Sequence, residues 1–181
     1  MTSTPTPHAS DQTEAVPGAP ADPVLAAVAA AAPSAVFHRL EPPAGSPQDV
    51  AVVAPGDYHA AVAACREAGF TTFSDLCAVD YLARPARFEV VVILVSRALG
   101  RRLRIRVAVP GTDPRLPTIT DVYPGANFYE REAFDLYGIE FDGHPDLTRI
   151  LMPDDWEGHP MRKDYAVGSV PVQFKESHRA T

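Results

Sequence analysis

The run RFEVVVILVSRALGRRLRIRVAV, Arg87 to Val109, constrains the fold of this chain more than any other stretch. Phe88, Val90, Val92 and Leu94 alternate along one face of its first half. Leu103, Ile105, Val107 and Val109 alternate with Arg102, Arg104 and Arg106 in its second. A period of two is the mark of a strand, since successive side chains leave a pleated backbone on opposite faces. Only the short RALG connection separates the two runs, so an antiparallel hairpin is expected. The first run is apolar on both faces and is therefore expected to lie centrally, covered by helices. The three arginines most simply mark a solvated face, with partner binding the weaker reading.

Other elements gather around this hairpin. DVAVVAP reads as a strand and GDYHAAVAACREAGF as a following helix, with Asp57 as its cap, Tyr58, Ala61, Val62 and Cys65 at helical spacing, and Gly69 just past its end. FSDLCAVDYL reads as another strand. Upstream, Asp22 and Pro23 can open a short helix that Pro33 stops, and PPAGSPQ is a loop. PGANFYEREAFDLYGI reads as a helix opened by Pro124 and closed by Gly138, with Tyr129, Ala133, Leu136 and Tyr137 on one stripe. The expected class is α+β: a mixed or antiparallel sheet with a central hairpin packed by helices, then an extended irregular C-terminal segment. Residues 1–22, rich in Pro, Ala and Thr and free of Lys and Arg, are expected to be a disordered tail. Residues 23–142 form the expected α+β domain, and 143–181 an extended docking segment and tail.

The formal charge of −7 argues against a nucleic-acid binder. Two cysteines, Cys65 and Cys77, are too few for a disulfide framework or an iron–sulfur cluster, and suit a reducing compartment. No apolar run reaches the ~20 residues of a membrane span, and the first residues lack the basic start of a secretory signal. Any membrane location is then expected through partners.

The polar segment GHPDLTRILMPDDWEGHPMRKDY, residues 143 to 165, poses the functional question, because its two Gly-His-Pro triplets look like potential metal ligands. A site built from His144, His159 and carboxylates such as Asp146, Asp154 or Asp155 suits zinc or iron chemically. Yet each His precedes a Pro, which drives its backbone extended, and no H-E-x-x-H spacing is present. The pairs Glu130/Glu132 and Asp154/Asp155 point their carboxylates apart, so neither forms a facing acid–base pair. Neither G-x-G-x-x-G nor G-x-x-x-x-G-K-[ST] occurs among the eleven glycines. Association remains: Leu147, Ile150, Leu151, Met152 and Trp156 are apolar anchors on a proline-stiffened ribbon, with Trp156 the best single one. A loop packed within its own domain has equal standing, and both can hold at once.

The stretch from TDVYPGANFYERE through RKDY closely resembles the 30 kDa-type subunit family of the bacterial proton-pumping NADH–quinone oxidoreductase, respiratory complex I. A weaker similarity begins near Asp49. The residues carrying it are Glu130, Arg131, Glu132, Asp135, Leu136, Gly138, Ile139, Gly143, His144 and Pro145. It continues through Arg149, Ile150, Leu151, Pro153, Asp154, Trp156, Gly158, Pro160, Arg162, Lys163, Asp164 and Tyr165. Thr148 departs from the pattern, standing where the family has a second basic residue beside Arg149. Phe128-Tyr129 lies where a Trp is more usual nearby.

The resemblance implies a non-redox structural subunit of the peripheral arm, on the cytoplasmic side of the bacterial cell membrane, with no catalytic, cofactor-binding or metal-binding residues of its own. FMN, iron–sulfur clusters, NADH and quinone would be held by other subunits. The implied partners are the large subunit of the quinone cavity and its cluster-bearing neighbours. Glu130, Arg131, Glu132 and Asp135 are expected to anchor the ribbon to its own helix. His144 to Tyr165 is expected to meet the large subunit. Related complexes fed by ferredoxin, deazaflavin or hydrogen are the rival readings, and a stand-alone metal hydrolase is the rival from another class.

Overall fold

The computed structural model describes residues 22–40 and 48–166. The expected tail 1–22 (Asp22 apart), most of the PPAGSPQ loop and the last part of the expected docking segment lie outside the described residues. In chain order the elements are α1 (Pro23–Ala31), β1 (Val36–Leu40), β2 (Gln48–Val53), a 3-10 turn (Pro55–Asp57), α2 (Tyr58–Glu67), β3 (Thr72–Asp80), β4 (Phe88–Ser96), β5 (Arg101–Val109), β6 (Arg115–Pro117), α3 (Ala126–Tyr137) and β7 (Glu140–Asp142).

Five strands form the main sheet in the order β1-β2-β5-β4-β3. The β4–β5 hairpin pairs antiparallel from Phe88↔Val109 to Ser96↔Arg101. It lies between β2, which pairs parallel with β5, and β3, which pairs antiparallel with β4. β2 and β3 therefore run the same way with the hairpin wedged between them, a split β-α-β unit whose crossover is α2.

The hairpin is central, as its alternation predicts, but among the described residues no helix packs over its second face. Phe88, Val90, Val92, Leu94, Leu103, Ile105 and Val107 are fully buried, in one core with Leu25 and Val28 of α1 and Tyr58, Ala61, Val62 and Cys65 of α2. On the opposite face Val91, Ile93 and Val95 stay half-buried, each paired across the ladder with Arg106, Arg104 and Arg102 respectively. Arginine stems shelter neighbouring methyl groups, so an aliphatic run can tolerate this face without a helix over it. Arg106 also grips Glu89 through two bonds of 3.0 and 2.9 Å.

Three local findings differ from the sequence reading. β1, β6 and β7 are elements that the sequence pattern does not announce. Asp57 does not cap α2; its Oδ2 accepts the Ser34 N–H at 2.9 Å instead. α3 begins at Ala126 behind Gly125 rather than at Pro124. Asp22 does cap α1, accepting from Val24 at 2.9 Å and Leu25 at 3.4 Å. Gly138 ends α3 in the left-handed region at φ 70°. α3 packs against the edge strand β3, where Tyr129 meets Phe73 edge-on at 5.2 Å.

Candidate assembly site: a strap fastened along α3

Past β7, residues 143–166 carry no regular structure and run alongside α3 in the helix's own direction. Each end of the helix is met by one of the two Gly-His-Pro triplets. At the first, the His144 side chain is buried. Its Nδ1 accepts the Asp146 N–H at 3.0 Å. That leaves Nε2 to donate, toward the Asn127 carbonyl at 3.4 Å. The same nitrogen lies 3.9 Å from Oε2 of Glu130. Glu130 is fully buried and anchors the loop before α3, accepting from Thr118 Oγ1 at 2.6 Å and the Ile119 N–H at 2.8 Å. Burial pushes its carboxyl up to about 7, against the pull of Thr118 and Ile119. Tyr58 is buried as well, its hydroxyl has no hydrogen-bond partner among the described residues, and burial and the Glu130 charge raise it well above its ordinary value.

The middle of the strap is gathered by Asp135. Oδ2 accepts three successive N–H groups, from Ile150 at 3.0 Å, Leu151 at 2.7 Å and Met152 at 2.8 Å. Oδ1 accepts Arg149 Nη1 at 2.6 Å. Burial raises the Asp135 carboxyl, but these N–H groups and the guanidinium outweigh it and hold it below the usual carboxylate range. Arg131, one turn earlier, donates to the carbonyls of Thr148 at 3.1 Å and Arg149 at 3.0 Å. Thr148 thus serves through its backbone.

The second triplet closes the helix. An α-helix leaves its last four carbonyls without intrahelical donors. Here Gly138 N–H serves Phe134, His159 Nδ1 serves Asp135 at 3.0 Å, Met161 N–H serves Leu136 at 3.0 Å, and Arg162 Nε serves Tyr137 at 2.6 Å. Arg162 also places positive charge at the negative end of the helix dipole. Gly138 must lack a side chain, since a Cβ there would sit 2.5 Å from both Arg162 Nη2 and His159 Nε2. Burial lowers the His159 imidazole, favouring its neutral form. Tyr165 lies against Gly158, where a Cβ would come within 2.8 Å of its ring.

The strap ends on the main sheet. Asp80, buried at the end of β3, accepts Arg87 at 3.0 and 2.7 Å, the Leu82 N–H at 2.8 Å and the Lys163 N–H at 2.8 Å. Arg87 reaches on to Asp164 at 2.8 and 2.5 Å. Arg87 and these N–H groups hold the Asp80 carboxyl far below the usual range despite burial.

Of the residues singled out in sequence, Arg131, Asp135, Gly138, His144, Arg149, Arg162 and Asp164 converge on this fastening, whereas the hydrogen bonds of Glu130 go to Thr118 and Ile119 and it only approaches the strap, at His144. Lys163 joins through its N–H alone, and Pro145 and Asp154 are exposed. Trp156 is half-buried with no acceptor for its indole N–H among the described residues. Glu132 is exposed and, among the described residues, makes no hydrogen bond or ion pair, so it does not anchor the strap as expected. The metal reading fails on geometry: His144 meets Asn127 and His159 meets Asp135, eight residues apart, which is about 12 Å along a helix. Among the described residues no group of three or more His, Cys, Asp or Glu is placed to hold a metal ion. Asp80 and Arg87, which hold the end of the strap, and Thr118, which holds Glu130, are groups that sequence reasoning misses. An isolated Asp at a strand end and an Arg before the next strand are the only trace of the first two.

A profile of the family described as "Respiratory-chain NADH dehydrogenase, 30 Kd subunit" matches residues 51–170. The chain belongs to this family. It is similar to an NADH-quinone oxidoreductase subunit of Salinispora arenicola, 55% identical over 107 residues, covering 59% of this chain and 44% of the relative. NADH-quinone oxidoreductase subunit 5 of Thermus thermophilus is 52% identical over 117 residues, covering 60% of this chain and 56% of the relative. The chain thus spans about half the length of these curated relatives. Among solved structures, one described as the trypsin-resistant fragment (1-134) of Nqo5 matches with TM-score 0.55 and 40% identity, over 61% of this chain and 89% of that one. A chain of an archaeal membrane-bound sulfane sulfur reductase, at 23% identity, shares the fold, with TM-score 0.66 over 85% of this chain and 94% of that one. No helix among the described residues is long and apolar enough to cross a membrane.

Proposed function

We propose that this chain is a non-redox structural subunit of an NADH–quinone oxidoreductase, seated in the peripheral arm on the cytoplasmic side of the membrane. NADH would pass a hydride to flavin, and electrons would run through clusters to quinone, in other subunits. This subunit would hold part of that scaffold rigid, because electron transfer and quinone reduction tolerate little displacement. The α+β domain of residues 23–142 would be the body and the segment 143–181 the docking element. Its contacts would fall on the large subunit of the quinone cavity and on cluster-bearing neighbours.

The family match over residues 51–170 carries this reading. The strap supports it: seven family residues fix its path, while Ile150, Leu151 and Met161 are left exposed. Preorganising an apolar ribbon lowers the entropy lost when it docks. The relatives' names favour NADH over ferredoxin, deazaflavin or hydrogen as donor. The test is affinity purification of the tagged chain from membranes of its host. Flavin- and cluster-bearing companions with NADH:quinone reductase activity are expected. Recovery of the chain alone, or with a nickel-bearing subunit, would refute the reading.

A further inference from the structure

Two clefts flank one wall of α3. The larger, about 160 Å³, opens between α3 and the edge strand β3 and is walled by Leu76, Tyr129, Leu136 and Met161. The smaller, about 110 Å³, lies between α3 and the strap, beside Phe128, Ile150 and Leu151. Tyr129 and Glu132 line both, so the clefts form one groove straddling the helix. Phe128, Leu151 and Met161 expose 61%, 60% and 52% of their surface around it. Large apolar side chains gathered about a concavity mark a binding surface, whereas scattered ones do not.

The charged side chains that line the larger cleft are both acidic, with Arg104 the cation near Cys77. Asp75 and Glu132 line the larger cleft, and among the described residues neither has a hydrogen bond or ion pair. Asp80 at the end of β3, Asp135 on α3 and Asp164 on the strap, by contrast, are all engaged by arginine. Two unpaired carboxylates beside an apolar cleft repel an acidic partner and attract a basic one.

We propose that this groove receives a segment of a neighbouring subunit carrying one large apolar side chain flanked by Lys or Arg. The apolar chain fills the cleft between α3 and β3, and the cation bridges Asp75 and Glu132. The proposal rests on the assembly reading and names the surface through which assembly occurs. Buried anchors ringed by polar contacts dominate interface energetics, and α3, held at both ends by the strap, presents such a pocket on a rigid element.

Cys77 allows a direct test, because it lines the larger cleft and is exposed, whereas Cys65 is buried with its thiol pushed up to about 12. N-ethylmaleimide therefore reports on Cys77. Labelling of the full chain, isolated and within the assembled complex, is to be compared by mass spectrometry. Protection of about tenfold or more on assembly is expected, the scale of a buried hot-spot contact. The double variant Asp75→Lys, Glu132→Lys is expected to keep its melting temperature yet lose its companions on purification. If companions co-purify while Cys77 labels as fast as in the isolated chain, the groove proposal is overturned and the assembly reading stands. Full co-purification of the double variant overturns it too. Protection already present in the isolated chain, and removed by deleting residues 167–181, would overturn it in favour of the chain's own tail. Finding no companions at all overturns the assembly reading, and the groove proposal with it.

Discussion

Replacing Asp135 with asparagine preserves the volume of the side chain but turns one carboxylate oxygen into an N–H donor. In the folded chain Oδ2 takes three strap N–H groups and Oδ1 takes Arg149 at 2.6 Å. With the amide oxygen in place of Oδ2, the three N–H bonds survive but become neutral, losing roughly 0.5–1 kcal/mol each. The amide nitrogen then faces Arg149 donor to donor, and Arg149 retains the carbonyls of Asp135 and Gly158. The summed loss is about 3 kcal/mol, felt first as opening of the strap rather than unfolding of the sheet. Native-state hydrogen exchange of the Leu151 and Met152 amides should then quicken about 100-fold at neutral pH, since every 1.4 kcal/mol is a factor of ten. The Asp135 carboxyl sits below its ordinary value of 3.8, so its contribution is present above that pH and is lost as pH falls below it. Variant and wild type should therefore converge in acid. Exchange that changes less than about threefold at neutral pH would refute the account of Asp135 as the strap's fastener.

Arg87→Ala should destabilise the fold by about 3–5 kcal/mol in urea unfolding, because it strands the buried Asp80 carboxylate with only N–H donors. Arg87→Lys should recover only part, since one ammonium cannot fork between Asp80 and Asp164; a loss below about 1 kcal/mol for the alanine variant would contradict this. Glu130 has the opposite pH sign to Asp135. Its folded value, about 7, lies above its ordinary 4.5, so the stability it contributes is complete below 4.5 and is lost as pH rises toward 7. Glu130→Gln should therefore gain on wild type by about 3 kcal/mol between those pH values, and unfolding curves that keep a constant offset would rule it out.

Legibility in the sequence follows the length of each pattern. β4 and β5 each run nine residues, long enough for their period to stand out. β6 and β7 have three residues each, and β1 buries only Phe37, so none displays a period. Asp57 shows the limit of local capping rules: it does stand at the cap position, yet Ser34, 23 residues earlier, offers a better donor. The strap's residues can be named only through family resemblance, because an irregular path has no period to read. Its last fastening joins Asp80 to Lys163 across 83 positions, a pairing that no spacing rule reaches. Glu130 and Glu132, two positions apart, go to the core and to solvent, as opposed helical faces require.

The donors that finish the last turn of α3 arrive late. Tyr137 offers its carbonyl to a side chain 25 residues further on. At a translation rate of roughly 5–20 residues per second, those donors emerge about one to five seconds after the turn they complete. During that interval the nascent helix ends in bare carbonyls, with its Asp135 carboxylate uncompensated. The final turn and the strap should therefore form together, in a single late event of biogenesis after the sheet has closed.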